Sequence, residues 1–259
     1  LLIPLLAKKI SKGDAVLTTP FTYIATAEVI KLVGATPVFV DIYEDTYNID
    51  PSKIDEAIKF AKRKGLKPKA IIPVDLFGLP ARYRLIEQKS KEHNLFILED
   101  AAQGFGGEIK NKKAGAFGNV SSTSFFPAKP LGCYGDGGAI FTNDDKLANV
   151  MRSIRVHGSG EDKYDNIRVG INGRLDTLQA AIIIEKFKLF KDEVHARNKV
   201  AKYYLKNLSA NFKKPYIPKD YLSSWAQFSI LADSYEHRKI TMSKLRQNQI
   251  PSMIYYRIP

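Results

Sequence analysis

The sequence predicts an α/β fold: a mostly parallel sheet with helices on both faces. Three observations predict it. Strand-like and helix-like stretches take turns up to about Val156. The strand-like stretches are short and nearly continuous in apolar residues, as in KAIIPVDLF, which suits burial on both faces. The helix-like stretches open on capping residues and close near glycine, as Asp50-Pro51 and Gly34 do.

Residues 15–20 (AVLTTP) read as the first strand. Thr22 caps a helix to about Leu32, which Gly34 ends. Residues 36–42 (TPVFVDI) form a β-branched strand, and Asp50 with Pro51 opens a helix to about Lys64. Residues 69–77 are a strand, PARYRLIEQKSKEH a helix and residues 95–100 (LFILED) another strand. NVSSTSFF and GGAIFTN supply two more strands, and Asp144 to about Val156 is helical. A long helical stretch runs from about Leu175 to Leu208. WAQFSILAD (225–233) then reads as a strand, HRKITMSKLRQNQ as a helix and SMIYY as a strand. The expected division is a large domain over residues 1–174, a connecting helical region over 175–210 and the start of a small α/β domain over 211–259.

The composition is that of a soluble globular protein: 44% hydrophobic, 26% charged and 11% aromatic over 259 residues. No stretch approaches the roughly 18 uninterrupted apolar residues of a membrane span. The opening LLIPLLA has no basic leader and no small-residue cleavage site, so it does not read as a signal peptide. Cys133 is the only cysteine. That excludes an internal disulfide framework and a multi-cysteine metal site, and fits a reducing cytoplasm. The net charge of +13 comes with lysines spread along predicted helices, such as KFAKRKGLKPK and EKFKLFKDE. They form no basic arm with interleaved aromatics, so a solvated surface is preferred to a nucleic-acid site.

Two residues stand out for chemistry. Asp100 ends the apolar strand LFILED, where a carboxylate is costly unless partnered. It reads either as a helix cap or salt-bridge partner, or as a carboxylate held for a cationic ring nitrogen. Lys129 lies in SSTSFFPAKPLGCYGDGGA, an otherwise uncharged run up to Asp136. It follows one further strand, so both residues fall at the carboxyl edge of the sheet, where such folds keep their sites. A lysine in apolar surroundings loses its proton more readily, which suits covalent attachment to a carbonyl. A carboxylate for a pyridinium nitrogen and a lysine for the aldehyde are the two protein groups that pyridoxal phosphate asks for. The glycines at 132, 135, 137 and 138 permit close backbone approach.

Five stretches in order carry a resemblance: GDAVLTTPFTYIATAEVIKLVGATPVFVDI, ILEDAAQGFG, SFFPAKPLGCYGDGGAIFTND, VHGSGEDKY and VGINGRLDTLQAA. From about Gly13 to Pro259 the chain resembles the DegT/StrS family of pyridoxal-phosphate-dependent nucleotide-sugar aminotransferases. SFFPAKPLGCYGDGGA resembles in particular the branch that aminates UDP-linked 3-keto-uronic acids. The resemblance implies the fold type I, aspartate-aminotransferase-like architecture. It implies that Lys129 anchors the cofactor and shuttles the proton, and that Asp100 binds the pyridine nitrogen. Gln103 would contact the ring hydroxyl side, Ser124 the phosphate, Tyr23 one ring face and Ala102 the other. Asn172 would reach the phosphate of a partner's site in a homodimer. Arg155, His157 and Arg174 are candidates for the anionic sugar nucleotide. No metal is implied, and the expected partners are a UDP-linked keto-sugar and glutamate or 2-oxoglutarate.

Bland readings stay open beside these. Tyr23 suits a core position early in an amphipathic helix, Ser124 can satisfy a neighbouring backbone group, and Asn172-Gly173 is a turn signal. Arg174 can cap the next helix. Two other functions stay open as well: a sugar dehydratase of the same family, which carries histidine where Lys129 stands, and a non-catalytic cofactor-binding regulator. The family pattern places a Gly-Thr-x-Ala phosphate motif before the first strand seen here, and the chain opens without it. Both ends are expected to be cut points of a longer protein.

Overall fold

The structure, a computed structural model, describes residues 1–162 and 164–257. Lys163 of VHGSGEDKY and residues 258–259 of the tail lie outside them. Helix α1 (Leu2–Ala7) leads into β1 (Asp14–Thr18), α2 (Ala25–Leu32) and β2 (Thr36–Phe39). A 3-10 turn at Pro51–Lys53 precedes α3 (Ile54–Arg63), β3 (Lys67–Ile72), α4 (Tyr83–Glu92) and β4 (Phe96–Asp100). A hairpin of β5 (Glu108–Ile109) and β6 (Lys112–Lys113) leads to β7 (Val120–Ser124), β8 (Gly138–Phe141) and α5 (Asp145–Arg155). Helix α6 (Thr177–Asn207) is followed by β9 (Phe212–Lys213), β10 (Tyr221–Leu222), β11 (Leu231–Ala232) and α7 (Tyr235–Gln247).

The main sheet has the order β2-β1-β3-β4-β7-β8. Every neighbouring pair is parallel except β7 with the edge strand β8. The period of two along each strand divides the core into two layers. Ala15, Leu17, Ile71 and Ile97 face α3 and α4 through Ile54, Ile58, Tyr83 and Ile86. Val16, Ala70, Ile72 and Leu98 face α1, α2 and α5 through Leu5, Ile30 and Met151. The expected parallel sheet covered on both faces is what forms. Because β1, β3, β4 and β7 run the same way, their carboxyl ends share one edge.

Several local expectations are corrected. Helix α2 begins at Ala25 without a side-chain cap, and the Thr22 hydroxyl instead hydrogen-bonds that of Thr26 at 3.0 Å. Asp50 does cap, but its carboxylate accepts from Ser52 N–H and opens the 3-10 turn before α3. β3 stops at Ile72 because Pro73 has no N–H to extend the ladder. The charged stretch EIKNKK forms a hairpin because Lys110 and Asn111 both take positive φ, 48° and 68°, the geometry of a tight hairpin turn. Within WAQFSILAD only Leu231–Ala232 is strand, paired antiparallel with β9. SMIYY is not a strand: Tyr256 packs edge-on against Phe21 and Tyr255 against Phe77.

Candidate active site

Asp100 is held from four directions. Its Oδ2 accepts from the Thr26 hydroxyl at 2.8 Å and its Oδ1 from Ala102 N–H at 3.2 Å. Its own N–H donates to Pro73 O at 2.9 Å, and its carbonyl accepts from Asp75 N–H at 3.0 Å. The carboxylate is 4% exposed and sits at the last residue of β4, paired in register with Ser122 of β7. The first reading of such an Asp, a cap or salt-bridge partner, is not what it does. It is a buried carboxylate with two donors and no ion-pair partner among the described residues.

Lys129 rides on the loop between β7 and β8. That loop is cinched at its base: Phe125 N–H donates to Gly137 O at 2.7 Å and Cys133 N–H to Phe125 O at 2.8 Å. Phe125, Leu131 and Cys133 pack on Phe190 and Val194 of α6. From the same helix, the Arg197 guanidinium donates to Pro130 O at 3.1 Å, and Gln179 Oε1 accepts from Tyr134 N–H at 2.8 Å. Gly132 is required here, because a Cβ would overlap the carbonyls of Phe126 and Pro127. The apolar loop leaves the Lys129 amine half-buried. Desolvation pushes its pKa down, and the charge of Asp100 pulls it partly back. Lysine and carboxylate therefore feel one another at one sheet edge.

A lysine with a lowered pKa is fully charged only at lower pH than its fellows, so its amine is nucleophilic earlier as pH rises. Lys129 is expected to acylate at neutral pH ahead of the exposed lysines. Peptide mapping of the cofactor-free protein, labelled across a pH series, checks this. Labelling of Lys129 that merely parallels the surface lysines would contradict it.

The neighbours fall into two groups. Gln103 is buried: its Oε1 accepts from Phe77 N–H at 2.6 Å and its Nε2 donates to Tyr256 Oη at 3.4 Å. The phenol of Tyr256 is pushed up mainly by burial and also feels Asp100 and Tyr23. Tyr256 is thus a site neighbour that sequence reading assigned to a plain strand. Its signal, a Tyr-Tyr pair in a polar tail, was too weak to place it. Tyr23 is not core: it lies before α2 and is 59% exposed. Ser124 Oγ accepts from Phe126 N–H at 3.2 Å, which leaves its own O–H free to donate. Ala102 is half-buried after Asp100.

Arg155, His157, Asn172 and Arg174 form the second group. Gly173 N–H donates to Arg155 O at 2.8 Å and His157 N–H to Ile171 O at 3.0 Å, which zips the two segments together. All four side chains belong to exposed residues. Arg174 Nε donates to Asn172 Oδ1 at 2.9 Å; it does not cap α6, whose N-cap is Asp176. A groove of about 720 Å3, lined in part by Ser122, Thr123, Arg155 and Gly173, joins this turn to the end of β7. Lys129 and Asp100 do not line it. The groove runs along the edge strand β8.

The residues present fit pyridoxal phosphate. A desolvated amine suits its aldehyde, a buried carboxylate without an ion-pair partner among the described residues suits a pyridinium nitrogen, and the free Ser124 hydroxyl at the end of β7 suits a phosphate. Fold and site together define a fold type I aminotransferase whose cofactor is pyridoxal phosphate. The chain belongs to the DegT/DnrJ/EryC1/StrS aminotransferase family, whose sequence pattern matches residues 1–259.

Its relatives include a UDP-2-acetamido-2-deoxy-3-oxo-D-glucuronate aminotransferase of Pseudomonas aeruginosa, 44% identical over 98% of this chain and 68% of that protein. A UDP-N-acetyl-3-dehydro-alpha-D-glucosamine 3-aminotransferase of Acidithiobacillus ferrooxidans is 37% identical over 100% of this chain and 68% of that protein. A family member from Brucella abortus, solved as a crystal structure, superposes with a TM-score of 0.97 at 50% identity, covering 100% of this chain and 69% of its own. NtdA of Bacillus subtilis, solved with bound cofactor PMP, superposes at 0.89 with 31% identity, covering 99% and 58%.

Proposed function

We propose that the protein transfers an amino group from glutamate to a UDP-linked 3-keto sugar, for surface-glycan biosynthesis. The coarser activity, amino transfer to nucleotide sugars, is that of its close relatives. The observation that carries the reading is the desolvated Lys129 amine opposite the buried Asp100 carboxylate. The lysine also argues against the dehydratase reading. Bound pyridoxal phosphate supplies an aldehyde that accepts the amino group and a cationic ring that draws electrons from the reacting carbon.

The chain's own residues do the rest. Lys129 Nζ would hold the cofactor at its aldehyde and could move the proton at the substrate carbon. Asp100 would keep the ring nitrogen protonated, and Thr26 and Ala102 hold Asp100 in place. Ser124 would donate its free hydroxyl to the phosphate. Gln103 would contact the ring hydroxyl side, and Tyr23 and Ala102 would pack the ring faces. Arg155, His157 and Arg174 receive the anionic sugar nucleotide.

A second copy of the chain completes the site. Tyr23, Ile24, Phe126 and Tyr134 are exposed apolar residues on the segments that carry or border the site. Asn172 is exposed, which supports its reaching the phosphate of a partner's site. Lys129→Ala and Asn172→Ala proteins are each expected to be impaired alone and to regain activity when mixed and re-equilibrated. No recovery would mean that each chain builds its site alone. A cytoplasmic location suits a soluble sugar nucleotide; among the described residues no helix is long and apolar enough to cross a membrane.

The test is mass spectrometry of products from a panel of UDP- and dTDP-linked keto sugars, each offered with glutamate and with other amino donors. An amino product from UDP-linked 3-keto sugars with glutamate is expected. Amination of dTDP sugars alone would overturn the substrate, and no transfer at all would overturn the activity.

A further inference from the structure

Near Asp100 lies a pair of acids that the chemistry above does not use. Asp75 and Glu99 are both 0% exposed. Glu99 Oε1 accepts from Gly115 N–H at 2.7 Å and Oε2 from Phe117 N–H at 2.8 Å. Asp75 Oδ1 accepts from Ala81 N–H at 3.0 Å and from the Tyr83 hydroxyl at 2.8 Å. Asp75 Oδ2 is buried and receives no N–H or O–H from the described residues. The two buried carboxyl groups are near enough for the charge of Glu99 to act on Asp75.

The groups around the pair are Tyr83 from α4, Ser121 from β7, Tyr221 from β10 and Asp100 from β4. No cation is among them. Two carboxylates in apolar surroundings repel and cannot both stay ionised, so one of them holds a proton. The bond pattern says where it sits. Both oxygens of Glu99 already serve as acceptors for backbone N–H groups. Oδ2 of Asp75 is the one oxygen without a donor, so it carries the proton.

The segment that carries Asp75 also holds the residues around Asp100 through its backbone. Asp75 N–H donates to Asp100 O at 3.0 Å, and Phe77 N–H, two residues on, donates to Gln103 Oε1 at 2.6 Å. Gly104 packs on the Asp75 carboxyl so closely that a Cβ there would overlap Oδ2. Removing the proton would set two buried charges against each other directly behind these contacts.

We propose that Asp75 and Glu99 bind one proton between them, carried on Asp75 Oδ2, and that this acid–carboxylate pair is the positioning element for Asp100. The proton-binding half stands without the cofactor assignment; only the bearing on Asp100's task rests on the aminotransferase reading.

Burial, with Glu99's charge added, pushes Asp75 well above its ordinary value of 3.8. A folded-state pKa raised above the unfolded one means that the native state holds a proton the unfolded chain releases. The stability that Asp75 contributes is therefore fully present below about pH 3.8 and is lost as pH rises toward its folded-state value. Glu99 is raised too, mainly by burial, and acts in the same direction.

The test uses substitutions with opposite expectations. Asp75→Asn keeps an acceptor for Ala81 and Tyr83 and offers Glu99 an N–H in place of the proton. It is expected to fold, to flatten the decline of thermal midpoint with rising pH, and to remove the infrared C=O band of a buried protonated carboxyl. Glu99→Gln turns one of two acceptors toward a backbone N–H and is expected to lower the thermal midpoint at every pH. With pyridoxal phosphate added, Asp75→Ala is expected to shift the pH midpoint of cofactor absorbance, and Asp75→Asn to restore it. Absence of the protonated-carboxyl band in the wild type, or an Asp75→Asn protein as damaged as Asp75→Ala, would overturn the shared proton. An unshifted absorbance midpoint in Asp75→Ala would overturn the positioning role while leaving the proton intact.

Discussion

Lys129→Ala is expected to abolish amino transfer and the near-visible absorbance that the protein gains with pyridoxal phosphate. The loss of a positioned general base alone costs about 10²–10⁴-fold in rate, and here the covalent anchor goes with it. The loop should survive the change. Its shape is set by Phe125, Leu131 and Cys133 against α6 and by Arg197 on Pro130 O, none of which involves the lysine side chain. Lys129→Arg is expected to fail as well, because a guanidinium stays charged and cannot attach to a carbonyl. Turnover and absorbance, measured together, check both variants. A Lys129→Ala protein that transaminates at the wild-type rate would remove the lysine from the chemistry.

Asp100→Ala is expected to give the next largest loss. The ring nitrogen would face a buried void where a carboxylate, held by Thr26 and Ala102, now stands. A hydrogen bond to a charged group is worth about 1.5–3 kcal/mol, which corresponds to roughly 10- to 150-fold in rate. The loss should fall on kcat more than on KM, because the ring's electron withdrawal matters most at the transition state. Steady-state kinetics with a saturating cofactor supply separate the two. An unchanged kcat with a raised KM would mean that Asp100 serves binding alone.

The parallel sheet was legible in the sequence because its strands are buried on both faces, so their apolar runs are nearly continuous. AVL, AII and FIL each alternate between two packed layers, while in VFV at the edge strand β2 only the two valines are packed and Phe39 is exposed. The edge of the fold was harder. β7 is serine- and threonine-rich because side chains there answer backbone groups, as the Thr123 hydroxyl does for Ala101 O at 3.0 Å. The EIKNKK hairpin has no apolar face to announce it, only two residues that accept positive φ. In the tail, SMIYY has the composition of a strand, but its tyrosines are taken by Phe21 and Phe77, so it finds no ladder.

At the site, Asp100 drew notice by breaking an apolar pattern at the end of β4, and Lys129 as the lone charge ahead of Asp136 in the loop after β7. Asp75 breaks the same pattern in PVDLFG, and Glu99 stands one residue before Asp100 in LFILED, so nothing in the sequence ties the two acids together. Only the folded chain brings them near one another. The bland core reading of Tyr23 fails because the helix that would bury it starts two residues later and leaves it 59% exposed.

The most direct test is to add pyridoxal phosphate, fix it with borohydride and map the modified peptide by mass spectrometry. The phosphopyridoxyl mass is expected on Lys129, within FFPAKPLGCYG. A label confined to other lysines, or none, would contradict the assignment of this lysine as the cofactor anchor.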